Sequence, residues 1–94
     1  MIKHVVCFKL KKGEGAEEAK RILLSMQGNV PTLRGIEVGI DELHSERSYD
    51  IILTVLLDDM DALRAYQLDE YHNRVVKAHM HRVCEGSVAI DYTV

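Results

Sequence analysis

Cysteine is scarce in this chain: Cys7 and Cys84 are the two present, too few for a disulfide framework. They are expected as reduced thiols of a cytoplasmic protein. No apolar run, such as Ile51-Ile52-Leu53, approaches the ~20 residues that a membrane span requires. No basic segment leads into an apolar one after Met1, so no secretory leader is expected. Positive charge is not in excess either. Lys and Arg number 12 against 15 Asp and Glu, a net charge of −3 with no basic stripe, which argues against nucleic acid and anionic membrane as partners. Phosphate-cradling loops are missing, because Gly13-Glu14-Gly15 lacks the further glycine and the Lys-Ser/Thr, and it reads as a turn. His79 and His81 stand at i, i+2, where helical geometry separates them by about 200°. With no workable set of three or four ligands, no metal and no other cofactor is expected.

What remains is an ordinary globular composition. The chain has 94 residues, 47% of them hydrophobic and 29% charged, so residues 1–94 are read as one domain. Ile2–Leu10 reads as a strand broken by Gly13 and Gly15. Ala16, Ala19, Ile22, Leu23 and Met26 recur at helical spacing, which predicts a helix over 16–27 stopped by Gly28. Leu33–Asp41 and Tyr49–Leu57 read as strands joined by a polar turn that exposes His44. Asp58 and Asp59 are candidate caps for a short helix over 60–66, and Asp69 caps another to about Arg82. Gly86 should end that region, and Ser87–Val94 is the last strand. The order βαββαβ predicts an α+β, ferredoxin-like fold: a four-stranded antiparallel sheet with its helices on one face.

Two helices cover only one face of such a sheet. Yet the first and third strands are apolar on both faces, with Val6 and Phe8 opposed to Val5 and Cys7, and Ile51, Leu53 and Val55 opposed to Ile52 and Leu56. A second copy packed on the helix-free face is the economical cover, which predicts a homodimer with Ile52 and Val6 as probes of its interface. In the last strand, Val88, Ile90 and Tyr92 are assigned to the helices. Ser87, Ala89 and Asp91 are assigned to the space between sheets, where small residues leave room for a pocket. A helix-facing Cys7 would be packed and inert.

The informative segment is Tyr66-Gln67-Leu68-Asp69-Glu70-Tyr71-His72. With Asp69 as cap, His72 falls in the first helical turn, whose positive end favours a neutral and basic imidazole. Tyr66 brings a phenol to the same junction. A neutral imidazole and a phenol suit proton abstraction beside a carbonyl, the histidine as base and the phenol as oxyanion donor. Packing and capping groups are the commoner meaning of such a pair.

The chain resembles the Dabb family, the stress-responsive dimeric α/β barrels, over essentially its whole length. The resemblance lies in Ile2-Lys3-His4-Val5-Val6, Phe8-Lys9-Leu10, Pro31, Gly35, Tyr49-Asp50 and the closing Asp91-Tyr92-Thr93. It also lies in Tyr66 followed by Asp69-Glu70-Tyr71-His72, where members carry Tyr, spacers and His-Pro-x-His. Here His72 keeps the second histidine, while Asp69 and Glu70 replace the first histidine and the proline. The resemblance implies a homodimer of two sheets. Similarity to a plant polyketide cyclase of the family implies catalytic roles for Tyr66 and His72, with His4 and Asp91 completing a ligand site. Three functions follow as expectations: a dimer binding a small apolar or carbonyl-bearing molecule, a cofactor-free aldol cyclase, isomerase or decarboxylase, and a purely structural module.

Overall fold

In the computed structural model, which describes all residues Met1–Val94, the segment after Met1, with Ile2, Val5 and Val6 β-branched and Phe8 aromatic, forms strand β1 (Ile2–Leu10). Helix α1 (Ala16–Leu24) follows, then β2 (Gly35–Ile40), β3 (Ile51–Leu57), α2 (Met60–Leu68), a π-helical segment (His72–Lys77) that runs into α3 (Ala78–Val83), and β4 (Cys84–Thr93). The sheet is antiparallel in the order β2-β3-β1-β4. This is the expected α+β ferredoxin-like arrangement.

The core lies between the sheet and one helical layer. Alternate residues of β3, namely Ile51, Leu53, Val55 and Leu57, are buried against Ala19, Leu23 and Met26 after α1's first turn, Leu63 and Tyr66 of α2, and Val76, Met80 and Val83. Helix α1 is shorter than its apolar spacing predicts. Beyond Leu24 the chain tightens, with Met26 N–H donating to the Leu23 carbonyl, and Gly28 then takes a φ of 85° that suits glycine. Met26 still reaches the core from that turn. Asp59 caps α2, its carboxylate accepting from Ala62 N–H at 2.8 Å. Asp58 is instead paired with Arg34.

Register corrects the assignment of the last strand. Residues directly opposite in an antiparallel pair share a face, and β1 meets β4 as His4↔Asp91, Val6↔Ala89 and Phe8↔Ser87. Ser87, Ala89 and Asp91 therefore lie on the face of the sheet that carries the helices, although β4, at the sheet edge, leaves them exposed. Val88, Ile90 and Tyr92 lie on the helix-free face with Val5, Cys7, Ile52 and Leu56, where Val88 is 53% and Ile90 68% exposed. Alternation alone cannot say which of a strand's two faces is inward, and the pairing decides it. Two further readings fall with it. Cys7 is not under the helices, and Val6 belongs to the helix side rather than to the open face. Gly86 does not close a helix but sits inside β4. Because Lys9 pairs with Gly86 and Leu10 with Cys84, Glu85 is the extra residue of a bulge.

Candidate functional site

The site is built where β1 and β4 run beneath the junction of α2 and the π-helical segment. His4 is buried on β1, and its pairing partner on β4 is Asp91. His4 Nδ1–H donates to Asp91 Oδ1. The carboxylate only accepts, so this bond fixes the imidazole tautomer and leaves Nε2 as the ring's other polar atom.

Tyr66 reaches the same place from α2. It is 1% exposed, with its ring edge-on to His4 at 5.5 Å between centroids and tilted against His72 at 4.4 Å. Burial, with Asp69 adding to it, pushes the phenol pKa well above its usual value, so the hydroxyl keeps its proton. That hydroxyl donates to Met26 Sδ at 3.7 Å. Thioether sulfur is a weak acceptor, which a ligand oxygen within reach would displace.

Asp69 acts as the predicted cap. It leaves α2 in an extended conformation, its carboxylate accepts from His72 N–H at 3.0 Å, and its carbonyl accepts from Asn73 N–H. The cap thus sets His72 in the first turn. His72 Nδ1 is buried with no partner. Its pKa is lowered, chiefly by burial and then by the Lys77 and His4 charges, while Asp69 acts in the opposite direction. The imidazole is held neutral and its buried nitrogen is unspent.

These side chains converge. A cavity of about 540 Å³ is lined by His4, Tyr66 and His72, over an apolar floor that includes Val6, Phe8 and Leu53. Asp91 holds His4 from the side. Of the four residues singled out in the sequence, His4, Tyr66 and His72 line the cavity, and Asp91 holds His4 without lining it, whereas His44 is exposed in a turn at a φ of 56° and His79 pairs with Arg82 away from the cavity. No group of three His, Cys, Asp or Glu side chains is placed to hold a metal ion. The sequence reading missed Lys77, His81 and Glu85, which also line the cavity. Their placement depends on the π-helical turn and the bulge, and neither leaves a periodic signature. Cys84 borders the cavity too, its thiol pKa raised first by burial and then by Asp50.

The description "Stress responsive A/B Barrel Domain" (Dabb) matches residues 2–94, nearly the entire chain. The chain belongs to the Dabb family. Several solved structures share the fold of this Dabb domain. A dimeric ferredoxin-like protein of unknown function from Jannaschia is 25% identical, the match covering 99% of this chain and 98% of that one at a TM-score of 0.78. A Dabb family protein from Mesorhizobium loti is 24% identical over 99% and 95% of the two chains, with a TM-score of 0.71. A hydroxynitrile lyase from Passiflora edulis is 13% identical over 99% and 92%, with a TM-score of 0.81. No curated protein matches this chain.

Proposed function

We propose that this protein is a homodimer that binds a small apolar or carbonyl-bearing molecule between its helices and its sheet. The observation that carries the binding reading is the convergence of His4, Tyr66 and His72 on one cavity with an apolar floor. A few polar groups over apolar walls is how ligand pockets are made. The dimer is supported by the apolar helix-free face and by the dimeric Jannaschia relative. The unpaired thiols Cys7 and Cys84 suit a reducing compartment such as the cytoplasm. No helix is long and apolar enough to cross a membrane.

A second reading, a cofactor-free enzyme of the aldol cyclase, isomerase or decarboxylase type, is favoured by the buried, unpartnered and neutral His72 Nδ1. In it His72 removes a proton beside a carbonyl, and Tyr66 O–H donates to the oxygen that gains charge. Asp91 or His4 orients a hydroxyl or a water. That a hydroxynitrile lyase shares the fold shows that the fold can carry an enzyme.

His72→Ala and Tyr66→Phe separate these readings. The test follows binding of a panel of aromatic ketones by NMR, together with turnover of β-polyketone substrates. In the binding reading both variants shift the ligand-induced resonances. In the catalytic reading each also lowers turnover by roughly 10²–10⁴-fold. Variants that melt lower but leave binding and turnover intact would reduce both residues to packing groups.

A further inference from the structure

Lys77 is exposed, yet it lines the cavity on the same side as His72. Five positions separate the two. Regular α-helical spacing would rotate Lys77 away, whereas the i→i+5 pattern of the π-helical segment sets it one turn from His72. π-Helical turns are rare and recur at functional sites. Lys77 joins none of the ion pairs of the chain, while Arg74 on the outer side is taken up by Glu70 at 2.6 Å. His81, a further turn along, adds a second polar group to the same rim.

The one carboxylate lining the cavity is Glu85, the bulge residue. It also borders a neighbouring depression that carries Lys9, Lys11 and Lys12. That depression also holds the carboxylates of Glu14 and Asp50. Glu85 forms no ion pair with Lys77, which lies without a counter-ion at the rim of an apolar-floored cavity. An ammonium one helical turn from a neutral imidazole, with a phenol beside that imidazole, describes a ligand with two different polar groups a short distance apart.

We propose that Lys77 recognises a carboxylate on the ligand, so that the pocket takes carbonyl compounds carrying that acid group. Their carbonyl would face Tyr66 and His72, and their carboxylate would face Lys77. This rests on the pocket reading above and adds the ligand class to it.

The test compares 4-acetylbenzoate with 4-acetylbenzamide, two probes of one shape that differ in charge, by calorimetry and by the resonances of His4 and His72. The acid should bind the wild-type protein about tenfold more tightly than the amide, as expected of one charge-assisted contact. Lys77→Met should abolish the preference, and Lys77→Arg should keep it. Equal affinities in the wild type, or a preference that survives Lys77→Met, would overturn the assignment and leave the pocket reading standing. A preference lost equally in Lys77→Met and Lys77→Arg would overturn it as well, because charge would not be the cause. If neither probe perturbs His4 or His72, the pocket reading itself fails and the assignment falls with it.

Discussion

His72 couples the site to acid. Its imidazole is held neutral mainly by burial, whereas in the unfolded chain it takes up a proton near pH 6.5, or about that value. Between those two conditions the unfolded state binds more protons. The stability that depends on a neutral His72 is therefore fully present above about pH 6.5 and is lost as pH falls through the lower folded value. A series of thermal melts from neutral to mildly acidic pH should show the melting temperature falling, and His72→Gln should flatten that fall. An unchanged slope in the variant would mean that other groups set the acid response. The identities of His72 and Tyr66 as a pair were legible, because a cap at Asp69 fixes the first turn and the chain order does the rest. The His4–Asp91 bond was legible only as membership of one site. Its geometry needed the β1–β4 register, which joins residues 87 positions apart.

Among the elements, the junction between α2 and the π-helical segment is capped by one carboxylate, with Asp69 accepting from His72 N–H. Asp69→Ala should lower unfolding free energy by about 1 kcal/mol, within the range for lost caps. It should also broaden or shift the His72 ring resonances, whereas Asp59→Ala should cost a similar amount without touching them. Chemical denaturation with NMR of both variants checks this. The strands and helices themselves were readable from period and punctuation, since β3 is a nearly unbroken apolar run rich in β-branched residues and α1 repeats at three and four. Two features were not. The π-helical turn has no periodic signal of its own, and the bulge at Glu85 is a matter of pairing across strands. Both move charged side chains to the rim of the cavity, which is why Lys77 and Glu85 escaped a reading of spacing.

On the scale of the whole molecule, the open sheet face gathers Val5, Cys7, Ile52, Leu56, Val88, Ile90 and Tyr92, with Ile52 42% exposed in the lone protomer. Ile52→Asp would be tolerated on a wetted face, but against a second sheet it would bury an unpaired charge at a cost of several kcal/mol. Sedimentation at micromolar concentration should find the wild type dimeric and Ile52→Asp monomeric and folded. Val6→Asp, on the other side of the sheet, should disturb ligand binding instead. A wild-type monomer would remove the case for the dimer. The position of β4 carries this further. Every residue of β4 from Glu85 to Thr93 is exposed in the single protomer, so the strand is held by its ladder to β1 with little burial of its own. Nevertheless it supplies Asp91 to fix His4 and Glu85 to the rim. A partner sheet that anchors Val88, Ile90 and Tyr92 would clamp the opposite side of that same strand. In such a dimer mass action would enter the chemistry of the pocket, because dilution that separated the protomers would loosen the strand that completes it. Occupancy by ligand and assembly into pairs would then be linked equilibria, each strengthening the other, and the amount of protein in the cell would set how much working site each chain possesses.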